Sequence, residues 1–479
     1  MKKYQTIKYI LVACITACLT WTLTSSEPVA ALEWLFRGPQ VDEEDQLTEE
    51  DLAFIQEVYN TLHINYIEDL DKETLIQGAL KGMVDAVGDP YSEFLSPEET
   101  TAFDDSLEGS FNGIGVQFML KDGQPTVIAP VDGTPAAKSG IRANDIFLEA
   151  DGEELQGLDT SKIVQHIRGP VGSEVTLKIQ RGTKVFDVTL TREEIPLTTV
   201  DAELDQENKN VGLVRVSQFA STTYGEMVEA IKDLRKKGAD RFIFDFRFNP
   251  GGLLPSALSI ANMFLTDDQI IMQTDDKFTD PEIYEASDKQ YGAFQVTEPY
   301  VILVDEGSAS ASEILAAAIK ENTDAPIVGV KTFGKGTVQT LTESSDYGEL
   351  KLTIAKWLTP EGKWIHEDGV APDVEVDLPE VATAIMLSPD ETLKEGQVSE
   401  FVESAALMLN YLDYLEEANA YFSPEVTQAV KDFQKDHKLK ETGQIDPDTG
   451  SKLMEASRDA LKEKDPQYQK ALETVQGAK

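Results

Sequence analysis

The chain has 479 residues, with 86 acidic and 42 basic side chains and a formal net charge of −44. This length is enough for about three domains with separate cores. So acidic a surface repels nucleic acid and anionic membranes, which argues against both as partners of the folded body.

Residues 1–35 have the pattern of a targeting segment. Three lysines precede an uncharged stretch over residues 9–26, and the next basic residue is Arg37. This stretch is long enough to cross a bilayer, so we predict a membrane anchor with the body outside the cell. A cleaved secretory signal and a lipoprotein attached through Cys14 or Cys18 are the alternatives. Because both cysteines lie here, the body contains neither a disulfide nor a thiol nucleophile.

Residues 45–108 are predicted to form an N-terminal helical region. Thr48 and Asp51 make a capping pair, and apolar side chains then recur at helical spacing. These side chains are Leu52, Ile55, Val58, Tyr59 and Leu62. A unit this small has little core of its own, so we expect it to pack on the protein body or on a second copy.

Residues 109–195 alternate short strands with glycine-containing turns around one predicted helix, over 160–168. Together with the runs GTPAAKSGI (133–141) and IRGPVG (167–172), this segment resembles a PDZ domain. The resemblance implies a loop whose backbone N–H groups receive the terminal carboxylate of a peptide, while the adjoining strand edge adds the peptide as an extra strand. The loop residues are Gly113, Ile114, Gly115 and Val116.

Arg168 ends the predicted PDZ helix. It has two interpretations: it complements the negative end of the helix, or it couples the PDZ domain to the body that follows.

Residues 196–385 alternate predicted strands and helices, which favours an α/β core with a mainly parallel sheet. Strands are expected over 211–216, 241–246 and 300–304, and helices over 224–237, 255–264 and 312–319.

A small-residue turn, GSASASE (307–313), joins the strand over 300–304 to the helix that follows. Such a turn would raise a serine hydroxyl to the mouth of the sheet, beside helix N–H groups that stabilise an oxyanion. Ser310 and Glu313 are also spaced as a capping box, a structural interpretation that is compatible with catalysis.

The run GVKTFGK (329–335) matches most of a phosphate-binding loop. That motif requires Ser or Thr where this chain has Gly336, and a helix where 337–341 and 350–357 alternate like strands. The pattern therefore argues against nucleotide binding.

Residues 400–479 are predicted to be largely helical. Residues 423–434, with Leu439, Gly443, Ile445, Asp446 and Thr449 beyond them, resemble a small helical peptidoglycan-binding module. A packed helical extension without sugar binding is the alternative interpretation.

Four motifs in order make most of residues 50–455 resemble a C-terminal processing protease, also called a tail-specific protease. They are FRFNPGGLL (246–254), GSASASE (307–313), FGKGTVQ (333–339), and GKWIH (362–366) with GVAPD (369–373). The resemblance implies Ser310 as nucleophile, Lys335 as general base and Gln339 as the side chain that orients the base. It also implies oxyanion donors among the backbone N–H groups of Gly251, Gly252 and Ala311. A simple turn is the alternative interpretation of residues 249–252.

The expected chemistry follows from these residue types. A lysine is a useful base at neutral pH only when burial disfavours its charged form. A neutral Lys335 could then accept the Ser310 proton, with no cofactor or metal. With the resemblance, this chemistry implies an extracytoplasmic, membrane-tethered serine endopeptidase that captures the free C-terminus of a protein substrate through its PDZ domain and cleaves nearby. The resemblance of residues 45–108 to the family's N-terminal region implies a homodimer. The competing hypothesis is a PDZ and cell-wall binding scaffold with an inactive protease body.

Overall fold

The computed structural model describes residues 46–477, apart from positions 122, 132, 159, 343, 344, 346, 389 and 390. The predicted anchor over residues 1–35 lies outside this part of the chain. Two compact units are distinguished, one up to Ala79 and one from Leu80 onward. Within the described residues, no helix has both the length and the apolar character needed to cross a membrane.

The N-terminal region begins with helices α1 (Glu49–Asn65) and α2 (Lys72–Asp85). The predicted cap of α1 is confirmed, because the Asp51 N–H donates to Thr48 Oγ1 at 3.2 Å and the Thr48 N–H donates to Asp51 Oδ2 at 2.8 Å. No residue of α1 is buried. Of its apolar stripe, Leu52, Ile55, Val58 and Leu62 are exposed and Tyr59 is half-buried.

The helical prediction fails between α2 and residue 96. Gly88 has φ 75°, and Pro90 cannot continue a helix. The chain instead forms the short strand β1 (Glu93–Leu95) before helix α3 (Pro97–Glu108) begins at the Ser96 cap.

The PDZ segment is inserted through a two-stranded ribbon of β2 (Ser110–Gly113) and β9 (Glu193–Pro196). Its sheet has the order β3-β4-β5-β7-β8, with β6 added on β5, so β3 is an edge strand. The strands are β3 (Val116–Lys121), β4 (Gln124–Pro130), β5 (Ile146–Ala150), β6 (Glu153–Glu154), β7 (Glu174–Arg181) and β8 (Lys184–Thr191), and the helices are α4 (Pro135–Ser139) and α5 (Thr160–Ile167). Ile163 of α5 is fully buried against this sheet in the core of the segment.

The predicted α/β core is confirmed. Its six-stranded sheet has the order β10-β11-β12-β15-β16-β19, and every pair except β10–β11 is parallel. The strands are β10 (Val200–Leu204), β11 (Val211–Val216), β12 (Arg241–Asp245), β15 (Tyr300–Val304), β16 (Ile327–Gly329) and β19 (Val374–Glu375). Helices α6 (Thr223–Lys236), α7 (Leu254–Asn262) and α9 (Ala311–Asn322) share one hydrophobic core with it, and the short α8 (Asp288–Tyr291) follows α7.

A second sheet is built around the long strand β18 (Glu349–Leu358). Its other members are β1, β13 (Ile270–Asp276), β14 (Glu282–Glu285) and β17 (Thr337–Leu341). Because β1 pairs with β18, the segment that follows α2 is fixed next to the strands that come after Lys335.

The C-terminal region separates into two parts. Helices α10 (Glu400–Tyr411), α11 (Pro424–Asp436) and α12 (Pro447–Glu463) share a core. The last helix, α13 (Pro466–Gly477), instead packs on the protease sheet, where Ala471 and Val475 are buried against Ile243 and Leu303. This helix was expected to belong to the helical module, but it covers the sheet face opposite α9.

Candidate active site

The three serines of the turn between β15 and α9 have different surroundings. Ser308 is fully buried, and its hydroxyl donates to Phe246 O at 2.9 Å. The Ser312 hydroxyl is buried and donates to Asn249 O at 2.9 Å. Ser310 is half-buried, and its hydroxyl donates to no acceptor among the described residues. Ser308 and Ser312 therefore hold the turn, while the Ser310 hydroxyl has no acceptor among the described residues.

The backbone of Ser310 is strained. Its φ of 53° and ψ of −110° lie outside the regions that side chains other than glycine favour. Ser310 immediately precedes α9, so the Ala311 N–H has no acceptor within the helix. The strain places the serine next to a free backbone donor, a pattern typical of functional turns.

Glu313 joins the serine turn to the lysine loop. Its side chain is fully buried, and its carboxylate accepts a hydrogen bond from the Ser310 N–H at 2.8 Å. It also accepts from the Thr332 hydroxyl at 2.5 Å, the Gly334 N–H at 2.7 Å and the Lys335 N–H at 2.8 Å. One carboxylate thus positions the backbones of both predicted catalytic residues.

The loop after β12 lies against the same turn. A Cβ atom on Gly251 would come within 2.9 Å of the Ser310 Cβ, so only glycine fits at this close approach. The Gly251 N–H donates to Asn249 Oδ1 at 3.0 Å. Gly252 and Ala311 have N–H groups without an acceptor among the described residues. Of the three predicted oxyanion donors, these two are therefore free.

Asp305 connects the loop after β12 to the serine turn before α9. Its side chain is buried, and its Oδ1 accepts from the Phe248 N–H at 2.9 Å and from the Gly307 N–H at 3.0 Å. Burial raises the pKa of this carboxyl group. The loop with the predicted oxyanion glycines and the serine turn are therefore held by one side chain.

Lys335 lies on the loop before β17, and its backbone is held on both sides. The Trp357 indole N–H donates to Lys335 O at 2.7 Å, and the Trp364 indole N–H donates to Gly336 O at 2.7 Å. Burial lowers the pKa of the Lys335 amine. Among the described residues no hydrogen bond joins Lys335 Nζ to Ser310 Oγ, and Nζ lies 5.0 Å from the centroid of the Tyr91 ring.

Gln339 forms no hydrogen bond with the Lys335 amine in this structure. Its amide donates to Thr337 Oγ1 at 3.0 Å and to Thr353 Oγ1 at 3.1 Å. The role of Gln339 as the orienting side chain stays a prediction.

The predicted peptide-binding loop lies at the start of the PDZ edge strand. Gly113 ends β2, Ile114 is buried, and Gly115 has φ 72°, so the chain turns sharply before Val116 begins β3. The Thr134 hydroxyl donates to Gly115 O at 3.0 Å and fixes the turn.

Arg168 follows α5 and contacts the segment that leads into the PDZ domain. Its guanidinium forms an ion pair with Asp105 of α3 and lies 4.8 Å from the centroid of the Phe111 ring. Arg168 therefore joins the end of α5 to α3 and β2.

Sequence reasoning missed three residues of this site. The spacing from Ser310 indicates only a cap at Glu313, and the catalytic motifs include neither Asp305 nor Tyr91. A carboxylate directly after a buried strand was a usable signal for Asp305. No sequence signal places Tyr91 beside a lysine 244 positions later.

Family models match four parts of the chain. "Peptidase family S41" matches residues 210–376 and "PDZ domain" matches 112–191. "Activating protease CtpB N-terminal domain" matches 18–100, and a peptidoglycan binding domain matches 399–453.

Two proteins of Bacillus subtilis (strain 168) resemble the chain over most of its length. The carboxy-terminal processing protease CtpA is 38% identical, over 88% of this chain and 89% of that protein. The carboxy-terminal processing protease CtpB is 36% identical, over 91% of this chain and 92% of that protein. With this similarity, and with the peptidase and PDZ segments in the expected order, the chain belongs to the carboxy-terminal processing proteases of peptidase family S41.

Proposed function

We propose that this protein is a serine endopeptidase in which Ser310 is the nucleophile and Lys335 the general base. The observation that carries the proposal is the contrast within one turn. The Ser310 hydroxyl donates to no acceptor among the described residues and stands on a strained backbone, while the Ser308 and Ser312 hydroxyls are buried and donate to backbone carbonyls. Glu313 supports it, because it joins the Ser310 backbone to the Lys335 backbone.

The proposed reaction begins with proton transfer from Ser310 Oγ to the neutral Lys335 amine. The resulting alkoxide attacks the peptide carbonyl carbon, and the free N–H groups of Gly252 and Ala311 stabilise the oxyanion. The Lys335 ammonium then protonates the leaving amine as the C–N bond breaks. Lys335, neutral again, takes a proton from water, and the hydroxide attacks the carbonyl carbon of the acyl-enzyme. The bond from that carbon to Ser310 Oγ then breaks as the Lys335 ammonium returns the proton to Oγ. The Lys335 amine must approach Ser310 for the first proton transfer, because no hydrogen bond joins the two side chains in this structure.

The serine variants test this assignment. We expect Ser310→Ala to lose hydrolysis of an unfolded protein substrate while its thermal unfolding stays close to that of the native protein. Ser308→Ala and Ser312→Ala remove buried hydrogen bonds and should lower stability by about 1–3 kcal/mol, yet retain turnover. Full activity in Ser310→Ala would refute the mechanism and favour a different nucleophile. Inactivity of the native protein on all substrates with free C-termini would favour the scaffold hypothesis.

Gln339 is proposed to orient the Lys335 amine once the amine has approached Ser310. A Gln339→Ala variant should then lose kcat with little change in KM, whereas Thr353→Val, which removes one present partner of Gln339, should not. Unchanged kcat in Gln339→Ala would contradict this role.

The PDZ segment is proposed to capture the free C-terminus of the substrate through the N–H groups of residues 113–116. Support comes from β3, whose outer edge pairs with no other strand among the described residues and is open to an added peptide strand. A peptide with a free C-terminus should be cleaved faster than the same peptide with an amidated one, because an amide lacks the charged acceptor. Equal rates would exclude carboxylate capture.

Arg168 is proposed to couple PDZ occupancy to the protease through its ion pair with Asp105. If it does, Arg168→Ala and Asp105→Ala should each reduce the preference for a free C-terminus. Variants that lower activity equally on the peptide with a free C-terminus and on the amidated peptide would indicate a structural role only.

A homodimer is proposed from the exposed apolar stripe of α1. Leu52, Ile55, Val58 and Leu62 are each more than 40% exposed, which is unfavourable for an isolated helix in water. Val58→Glu should shift the mass measured by light scattering from dimer to monomer, with Glu57→Lys as the matched control. A native monomer at micromolar concentration would contradict the proposal.

We also propose an extracytoplasmic location and binding of residues 399–453 to peptidoglycan, supported by the family match of that segment. A reporter enzyme that is active only outside the cytoplasm, fused after residue 479, should be active.

Co-sedimentation of the purified protein with insoluble peptidoglycan should be observed, and its absence would favour the packed-extension interpretation.

A further inference from the structure

Tyr91 lies directly against the amine of Lys335. The distance of 5.0 Å from Nζ to the ring centroid is within the range of a cation–π contact. Among the described residues, Nζ makes no hydrogen bond and no ion pair, so the ring face is the group that contacts the amine directly. Such a face binds an ammonium and has no comparable attraction for a neutral amine.

The position of Tyr91 is fixed by the turn before β1. The Tyr91 N–H and the Ser92 hydroxyl both donate to Asp89, at 3.2 Å and 2.6 Å. Ser92 Oγ in turn accepts from the Thr353 N–H of β18 at 3.0 Å. The turn is therefore attached to the sheet that also contains β17.

The Tyr91 ring is also held from the side. It meets the His366 ring edge-on, with centroids 6.0 Å apart, and His366 Nδ1 accepts from the Gly336 N–H at 3.3 Å. His366 stacks on Trp364 at 5.0 Å. The ring therefore has little freedom to leave the lysine loop.

Opposing influences act on the Lys335 proton. Burial lowers the pKa of the amine, and the charge of Lys351 on β18 lowers it further. Asp89 before β1 and Glu313 on α9 act in the opposite direction. The Tyr91 phenol is neutral, since burial and then the nearby carboxylates raise its pKa, so it acts on the amine through its ring face.

We propose that Tyr91 is a positioning residue that retains the Lys335 amine in its protonated form and away from Ser310. The inference rests on the proposed role of Lys335 as general base. Productive catalysis then requires the amine to leave the ring face and lose its proton. Tyr91 therefore lowers the fraction of enzyme that is competent near neutral pH.

The test changes the ring's electrostatics without changing its shape. Tyr91→Phe is the reference, and 3,4,5-trifluorophenylalanine introduced at position 91 keeps the ring while withdrawing electron density from its face. Relative to Tyr91→Phe, the fluorinated variant should move the acid limb of kcat/KM to lower pH by about one unit, because the ammonium is less stable. At pH values below the acid limb, kcat/KM of the fluorinated variant should be about tenfold that of Tyr91→Phe.

A ring needed only for packing would make the Phe and trifluorophenylalanine variants identical, and that result would overturn the inference.

A second readout is independent of catalysis. In the Ser310→Ala protein, the pH dependence of Lys335 acetylation by trace acetic anhydride, followed by mass spectrometry, reports the pKa of the amine directly. Its midpoint should move with fluorination as the acid limb does. Activity in a Lys335→Ala variant would refute the proposed function itself. An inactive Lys335→Ala variant, with unchanged midpoints across the fluorinated pair, would refute only the role of Tyr91.

Discussion

At the residue scale, the pKa of Lys335 is set by side chains on separate elements. Burial lowers it, Lys351 lowers it further, and Asp89 and Glu313 oppose this change. Lys351 is held in place by Glu93 at 2.9 Å, so its charge stays close to the amine. If Lys335 is the base, the acid limb of the pH–rate profile depends on Lys351 as well.

Replacing Lys351 with Gln should therefore shift that limb. Loss of the positive charge makes the Lys335 ammonium easier to form, so its pKa rises and the neutral base is lost at a higher pH. We expect the midpoint of the acid limb of kcat/KM to rise by about half a pH unit. Lys356→Gln is the control, because Lys356 lies on the same strand but contacts Trp364, at 4.6 Å. A shift to lower pH in Lys351→Gln would contradict the assignment of Lys335.

Glu313 shows how far sequence spacing can predict such a site. The interval of three residues from Ser310 indicates a capping box, and the bond between the Ser310 N–H and Glu313 is present. Its other three donors come from residues 332–335. A single sequence carries no signal for these contacts, because they depend on how the loop before β17 folds back over α9.

At the element scale, the last helix completes the protease core. Strands of a parallel sheet are apolar on both faces and need a cover on each. Helices α6, α7 and α9 share one core with the sheet, and α13 covers the opposite face. Arg247, next to the loop of the predicted oxyanion glycines, bonds Asp465 and Gln467 at the start of α13. The sequence predicts six of the strands and helices between 211 and 319, because each is short and bounded by turns, but it does not predict β13, β14 or α8. Its helical pattern also does not show which core α13 joins.

Val475→Ala tests the role of α13. Val475 is fully buried against the sheet, so its truncation should lower the free energy of unfolding by about 2 kcal/mol. Glu473→Ala, on the exposed side of the same helix, should change it by less than about 0.5 kcal/mol. Denaturant titration of both variants gives the comparison, and equal effects would mean that α13 does not cover the sheet in solution.

At the scale of the whole molecule, the order of segments was predictable because each has its own periodicity and turn chemistry. What the sequence could not give is how distant segments meet. The turn before β1 lies against Lys335, because β1 pairs with β18. The ribbon of β2 and β9 connects the PDZ segment to the rest of the protein. Both connections depend on strand pairing between residues far apart in the chain, which a single sequence does not encode in any local pattern.

Covalent labelling tests the assignment of Ser310 and Lys335 most directly. The native protein would be treated with a serine-reactive fluorophosphonate, and the modified residue identified by peptide mapping. We expect the label on Ser310 alone, with labelling lost in Ser310→Ala and strongly reduced in Lys335→Met, which keeps the length of the side chain but cannot accept a proton. Labelling of Ser308 or Ser312 in the native protein, or an undiminished rate in Lys335→Met, would contradict the assignment.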